Sequence, residues 1–380
     1  MMITTFYLPT KIIFGPGSSA RLGTEAAKLG CKAILVTGRS SLRKTGILGR
    51  VVRDLENNGV GILIYDRVEP NPRASTVDEG ARLVREGGID LVIGIGGGSA
   101  MDAAKGIVIA SSGTRPIWHY IENKVEIKGS VPRLILVPTV AASGSEANNG
   151  AVITNWQTHE KCVFSSSHTY PRVSIVDPDL TLTLPVKPTM QGGVDIFCHL
   201  VEPYITAKNP APLTDAIVEA ALRLVVNYLP RTLAKPDDIY ARSQLSWAST
   251  IACSPFTSLG GGDGALTLHG IEHPLSGYYD IAHGDGLAAL LPAWIRYTYP
   301  VRKDRFEALG SNVFGRPDGI AATEEWLEMI GMRLRLGELG IESGRIREMA
   351  ACALKTAPWL KNHPNKLDIE TTVRIYRDCY

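Results

Sequence analysis

Four short apolar runs constrain the first half of this chain more than any other feature. They are 32–37 (KAILVT), 60–65 (VGILIY), 90–96 (DLVIGIG) and 133–139 (RLILVPT). None alternates apolar with polar residues, so each reads as a strand buried on both faces. Helical periodicity separates them, at about 42–58, ending at Asn57-Asn58-Gly59, and at 75–86, where Ser75 is suited to cap the helix. Continuous apolar strands with helices between them imply a parallel sheet covered on both faces. Segments 152–154 and 174–177 read as later strands near a small sheet. The character changes at Thr183-Leu184-Pro185. From about 188 onward only helical periodicity and short loops follow, at 188–207, 213–228, 236–254, 265–276, 283–299, 303–313, 320–338, 342–357 and 367–378. The expected fold is an α/β half with a Rossmann-like parallel sheet, residues 1–185, then an all-helical half, residues 186–380.

Forty basic against 38 acidic residues leave no basic excess for nucleic acid and no acidic tail. No stretch of 18 apolar residues exists to span a membrane, and the N-terminal MMITTFYLPTKIIFG lacks the layout of a signal peptide. A cytoplasmic protein is the expectation. The six cysteines form no C-x-x-C pair and read as reduced, mostly buried thiols. Cys198, beside His199, reads as a packing residue.

Three successive glycines follow the third apolar run, in IGIGGGSAMDAAKG (93–106), and a helix is expected to open at Ser99. Glycines let a backbone approach a phosphate closely, and a helix N-terminus offers N–H groups and a positive dipole end. Ser99 can cap that helix with Asp102 three residues on. The segment is neither a full G-x-G-x-x-G nor a P-loop, so a plain strand–helix turn remains an alternative. A second run, GGGDG (260–264), follows no strand and reads as a helix–helix connection. The polar stretch PTVAASGSEANNGAVIT (138–154) follows the fourth strand, where ligands bind in open α/β sheets, although by itself it could be a solvated loop.

The helical half carries the most reactive pattern. Asp195 and His199 stand four apart in VDIFCHLVE (194–202), and His269 and His273 repeat that spacing in LHGIEHPLSGYYDIAHGDG (268–286), where His283 follows a Gly- and Tyr-containing turn. On a helix such pairs leave one face. Four of the chain's eight histidines lie in these runs, flanked by the apolar Ile196, Phe197, Leu200, Leu268, Ile271 and Leu275. Buried ionisable groups need partners, and one divalent cation satisfies several at once. Spacing leaves open which histidine is not a ligand.

Taken in order, EPNP near 70, GGGSAMDAAK, PT-x5-SE at 138–146, Lys161, GVD-x3-H-x2-E at 193–202, H-x3-HPL and the final HG resemble the iron-dependent (group III) alcohol dehydrogenase family over nearly the whole chain. The resemblance implies a dinucleotide-binding domain, a helical metal domain and an active site between them. It implies metal ligands at Asp195, His199, His269 and His283, with His273 near the substrate and nicotinamide. It places the cofactor's pyrophosphate on Gly96, Gly97, Gly98 and Ser99 with Asn71 and Asp102 nearby, and lines the remainder with Thr139, Ser143, Ser145, Val152, Lys161 and Leu180. Many members carry an Asp at the position of Gly38, where it accepts from the ribose hydroxyls of NAD. Here Gly38 is followed by Arg39, Ser40 and Ser41, which suits a 2′-phosphate, so NADP(H) is expected over NAD(H). The run 143–156 also looks most like the butanol dehydrogenase/aldehyde reductase branch.

The implied reaction is reversible hydride transfer between a primary alcohol, or its aldehyde, and NADP(H), with the metal as Lewis acid and His273 either relaying the proton or serving in the metal shell or in substrate positioning. Three imidazoles and a carboxylate suit several divalent metals; Fe²⁺ ranks first and Zn²⁺ close behind. The expected partners are a small alcohol or aldehyde and further copies of the chain, with no nucleic acid and no membrane. A polyol dehydrogenase and a dehydroquinate synthase-like lyase share the architecture. A full ligand set argues against the first. Apolar and aromatic neighbours (Phe197, Tyr278, Tyr279) argue against the phosphate-rich pocket of the second. Trp156, Phe164, Phe256, Tyr278 and Trp359 are candidate pocket walls.

Overall fold

The structure is a computed structural model that describes residues 5–127, 129–261 and 263–380. Eight strands are described: β1 (Lys11–Phe14), β2 (Lys32–Gly38), β3 (Gly61–Val68), β4 (Leu91–Gly96), β5 (Arg133–Pro138), β6 (Gly150–Asn155), β7 (Glu160–Ser165) and β8 (Val173–Val176). The four apolar runs become β2 to β5. All pairs of the six-stranded sheet are parallel, in the order β1-β8-β5-β4-β2-β3. Two expectations change here. The 174–177 run joins the main sheet as β8, between β1 and β5, rather than a small sheet. The 152–154 run is part of β6, which pairs antiparallel with β7 as a separate two-stranded ribbon. Neither β1 nor β7 was expected; the first is a four-residue edge strand and the second a half-exposed one, so both lack a continuous apolar signal.

β4 lies at the centre of the sheet and every residue of it is buried. At Gly94 a Cβ would come within 2.8 Å of Ala104 and Leu136, so glycine there lets the next helix lie against the sheet. That helix, Gly98–Ala110, is buried at every position from Ala100 onward. It is apolar on almost all sides because it is covered by the sheet, by the Ala74–Gly87 helix and by β6. Ser75 and Ser99 do not cap. The N-cap positions are Arg73 and Gly97, neither with a side-chain capping bond. The 42–58 helix is interrupted at Gly46 (φ 72°) into Ser41–Lys44 and Ile47–Asn57. Among the six cysteines only Cys198 and Cys379 are buried; Cys31 is exposed and the others are intermediate, and all six are free thiols.

From Val186 the described residues are helical: Val186–Thr206, Pro212–Ala234, Ile239–Ala252, Thr267–Tyr279, His283–Thr298 and shorter helices to Arg377. Gly262 of the GGGDG run lies outside the described residues, and the turn Pro255–Gly261 precedes it. Thr267–Tyr279 extends three residues past its expected end, so Gly277, Tyr278 and Tyr279 complete the helix and the turn to His283 is only 280–282. No helix among the described residues is long and apolar enough to cross a membrane. Phe197, fully buried on Val186–Thr206, stacks on Trp326 at 4.7 Å between ring centroids. The face of that helix opposite its polar residues is thereby held in the helical core.

The two halves meet at a polar clasp. Asn71, left-handed (φ 52°) just after β3, donates from Nδ2 to Asp280 Oδ1 (3.0 Å) and to the Ile281 carbonyl (3.1 Å). Arg73 donates to Asp280 Oδ2 at 2.6 Å. Asp280 is itself left-handed (φ 54°) and ends Thr267–Tyr279. A second clasp joins the Ala142 N–H to Ser249 Oγ at 2.9 Å. Truncating Phe197 to Ala removes a large buried ring from the support of Val186–Thr206. The expected loss is about 3–5 kcal/mol, read from denaturant midpoints.

Candidate active site

Three imidazoles and one carboxylate converge where Val186–Thr206, Thr267–Tyr279 and His283–Thr298 pack together. The ligand atoms of Asp195, His199 and His269 all lie within 4.8 Å of one another, and all three residues are buried. His269 Nε2 is 3.4 Å and His283 Nε2 3.7 Å from Asp195 Oδ1. His199 lies one helical turn below Asp195, with Nδ1 3.1 Å from Oδ1.

The Nδ1 atoms explain this orientation. His199 Nδ1 donates to the main-chain carbonyl of Asp195 at 2.9 Å. His269 Nδ1 pairs with Glu202 and His283 Nδ1 with Glu272. With Nδ1 of His269 and of His283 held by a carboxylate, Nε2 of each is left to face Asp195, the orientation such acceptors impose on metal-binding histidines. Both glutamates are fully buried. Glu202 also accepts from the Leu268 N–H (2.5 Å) and the His269 N–H (3.3 Å), so it caps a helix whose own N-cap side chain makes no bond. Glu272 also accepts from Ser276 and lies 3.9 Å from Lys161 Nζ. Glu202 closes the GVD-x3-H-x2-E run without a role assigned to it there, and Glu272 is not singled out from sequence. The signal was there: Glu202 is seven after Asp195 and Glu272 three after His269, each on the helical face that carries a candidate ligand, although the imidazole it holds belongs to another helix.

A divalent cation fits this donor set. Asp195 Oδ1 and His269 Nε2 are buried and have no hydrogen-bond partner among the described residues. Such orphaned atoms are costly unless something else satisfies them. Burial works against charge on Asp195, but His199 and His269 outweigh it and hold the carboxyl well below its ordinary range. Burial likewise opposes the His199 imidazolium, yet Asp195, with Cys253, raises it well above the usual value. His273 differs. Burial first, then Lys161 and the neighbouring imidazoles, pushes it well below the ordinary range, so its imidazole is neutral. Its Nδ1 is buried without a partner among the described residues, and its ring centroid is 5.9 Å from that of His283 and 6.3 Å from that of Trp359.

Beside this cluster, between the halves, runs a cleft of about 540 Å³. Of the expected cofactor residues, Gly38, Arg39, Ser40, Asn71, Gly96, Gly97 and Ser99 line it, together with Asp195 and His283. Gly96 has φ 151°, a conformation open only to glycine, and a Cβ on Gly97 would meet nothing closer than 3.6 Å, because it faces the cleft. Gly98, Asp102, Thr139, Ser143, Ser145, Val152, Lys161 and Leu180 do not line it. They shape the wall from behind. Asp102 accepts from Ser145 Oγ (2.7 Å) and the Val152 N–H (2.8 Å). Ser143 packs where a Cβ on Gly98 would stand. The Thr139 N–H donates to the Gly96 carbonyl at 2.9 Å. Lys161 Nζ donates to Asn71 Oδ1 at 3.0 Å, and Leu180 is in the core under β2, β4 and β5.

Lys105, unremarked in the sequence, is fully buried under the 145–150 segment. Its ammonium donates to the Ser145 carbonyl (2.7 Å), the Gly150 carbonyl (2.6 Å) and Asn148 Oδ1 (3.0 Å). Burial, opposed by Asp102, lowers it to about 8. Of the candidate walls, Phe164 and Trp359 line a separate groove of about 910 Å³ beyond β7, with Trp359 reaching towards His273. Trp156 is 41% exposed beneath the Arg73 guanidinium, and Phe256 packs on Phe6.

Because Asp195 raises the His199 imidazolium, an entering cation must displace a proton. Apparent affinity is therefore expected to rise with pH through the neutral range and to fall as pH drops. Calorimetric titration of the metal-free chain with Zn²⁺ at about pH 6 and about pH 8, in buffers of different ionisation enthalpy, reads both the affinity and the proton release. Glu202→Gln and Glu272→Gln are each expected to weaken binding about 10- to 100-fold in the same titration.

Comparison with known proteins agrees with this layout. A family model described as iron-containing alcohol dehydrogenase matches residues 9–178, and its C-terminal counterpart, described as the Fe-containing alcohol dehydrogenase family, C-terminal, matches residues 189–380. NADH-dependent butanol dehydrogenase A of Clostridium acetobutylicum is 33% identical, with all of both chains covered. The NADPH-dependent aldehyde reductase YqhD of Escherichia coli is 31% identical over 90% of both. The crystal structure of an NADH-dependent butanol dehydrogenase A from Thermotoga maritima superposes with a TM-score of 0.93 at 33% identity, covering 99% of this chain and 98% of that one. The chain therefore belongs to the iron-containing alcohol dehydrogenase family and is an oxidoreductase.

Proposed function

We propose that the chain interconverts a small primary alcohol and its aldehyde with a nicotinamide dinucleotide as hydride partner. The observation that carries the proposal is the meeting of a glycine-walled cleft with an unsatisfied Asp195–His269 pair at its end. Asp195, His199, His269 and His283 would hold the divalent metal, with Fe²⁺ ahead of Zn²⁺; the family description supports iron. That ion supplies Lewis acidity towards a substrate oxygen.

The chain's own residues do the remainder. Glu202 and Glu272 fix two rings with Nε2 inward. Gly96 and Gly97, with the N-terminus of Gly98–Ala110, offer backbone N–H groups and a dipole end to a pyrophosphate. Asn71, braced by Lys161 and Asp280, sits at the cleft wall beside them. His273, beside His283 and with an unpaired Nδ1 among the described residues, is placed to position the substrate or to relay the proton that accompanies hydride transfer. The sheet half, to about residue 185, would carry the cofactor and the helical half the metal; the gap between the two family matches, 178 to 189, supports that boundary.

Gly38, Arg39, Ser40 and Ser41 at one end of the cleft leave room, hydroxyls and a cation for a 2′-phosphate, which supports use of NADP(H). The NADH-dependent relatives make the comparison of the two cofactors the informative test. With metal-loaded protein and butanal, oxidation of the reduced cofactor at 340 nm is expected with NADPH ahead of NADH; no turnover with either across alcohols and aldehydes would sink the proposal. Asp195→Ala is expected to abolish turnover and also the stabilisation by metal, about 3 kcal/mol at a hundredfold excess over Kd, read by thermal unfolding. His273→Ala is expected to lower kcat roughly 100-fold and to alter the pH–rate profile; an unaltered profile removes the relay.

A further inference from the structure

The carboxylate missing at position 38 has a counterpart on the neighbouring strand. β2 and β3 pair with Gly38 opposite Val68, so the next residues, Arg39 and Glu69, emerge side by side at the strand ends. Both line the cleft. Arg39 Nη2 lies 3.1 Å from Glu69 Oε1. The other carboxylate oxygen, Oε2, accepts from Thr76 Oγ1 at 2.9 Å, and Thr76 is buried on the Ala74–Gly87 helix. The two partners are unequally held: the Glu69 side chain is 20% exposed and anchored, while Arg39 is 68% exposed and reaches out to it. The nearby cations are already engaged, Arg43 with Asp66 and Arg67 with Glu79, each at 2.6 Å. Among the described residues that line the cleft, Arg39 is the cation and Glu69 the carboxylate at this end.

We propose that Glu69 is a specificity-determining residue for the adenosine ribose of the cofactor. A fixed carboxylate accepts from ribose hydroxyls and repels a 2′-phosphate. Glu69 also occupies the guanidinium that would otherwise pair with that phosphate. It thus performs from the end of β3 the task a carboxylate at position 38 performs from the end of β2, and it narrows the advantage that Gly38 and Arg39 give to NADP(H). This rests on the reading of the cleft as the dinucleotide site.

The test separates the two. Adenosine 5′-monophosphate and adenosine 2′,5′-bisphosphate differ only in the 2′-phosphate, and their Kd values can be measured calorimetrically on the metal-free protein without any turnover. Glu69→Gln is expected to raise the preference for the bisphosphate roughly five- to tenfold, and Arg39→Ala added to it is expected to cancel the gain. Thr76→Val, which keeps the charge but releases its anchor, is expected to give a smaller shift in the same direction. The NADPH-to-NADH ratio of kcat/KM should move in parallel. A binding ratio within twofold of the unmodified chain in Glu69→Gln overturns the role of Glu69 and leaves the cofactor cleft standing. Absence of binding of either nucleotide to the unmodified chain overturns both. A shifted binding ratio in a chain that turns over neither cofactor leaves Glu69 in place and removes only the hydride-transfer reading.

Discussion

Two buried glutamates govern the candidate metal centre. Glu202 and Glu272 have no exposed surface, and each holds Nδ1 of one imidazole. A buried carboxylate is costly unless hydrogen-bonded, so each is secured by further donors: the first-turn N–H groups of Thr267–Tyr279 for Glu202, and Ser276 with the nearby Lys161 for Glu272. The rings are therefore set by helix packing, and Nε2 of His269 and of His283 faces Asp195. Remove the glutamates and the rings of His269 and His283 would be free to turn away. Glu272 also links the cluster to the cofactor side, because Lys161 continues to Asn71 and Asn71 to Asp280.

The cleft depends on a second buried charge. Lys105 gathers three oxygens of the 145–150 segment, while Asp102, three residues earlier on the same helix, holds Ser145 and Val152. One helix thus offers its open N-terminus to the cleft at Gly96-Gly97 and fixes the loop behind it through Lys105 and Asp102. The residues that resemble a nucleotide-binding motif divide accordingly. Some face the cleft, and others, Asp102 and Ser145 among them, build its wall.

Much of this was legible because it depends on local spacing. Continuous apolar runs gave β2 to β5, and i, i+4 pairs placed Asp195 with His199 and His269 with His273 on single helical faces. The short elements were not legible. β1 and β7 present too few apolar residues to stand out, and β8, read as part of a small sheet, is decided by which strand edges remain open between β1 and β5. Caps at Ser75 and Ser99 failed for a related reason: the loop geometry before each helix starts the helix one residue earlier than the best capping side chain.

The sequence by itself determined the chemical kinds available here and their order: a parallel sheet with glycines after its central strand, then helices bearing a carboxylate and imidazoles at helical spacing. Periodicity settles which face a side chain leaves. Only the tertiary structure decided which faces meet. The clasp between Asn71 and Asp280 joins residues 209 positions apart, and the bond from Glu202 to His269 joins residues 67 apart. The neighbourhood of Arg39 and Glu69 follows from strand register. Register and helix packing are set by the burial of the whole core rather than by any short run of residues, so orientation of the histidines and the charge at the cleft's ribose end could emerge only with the fold.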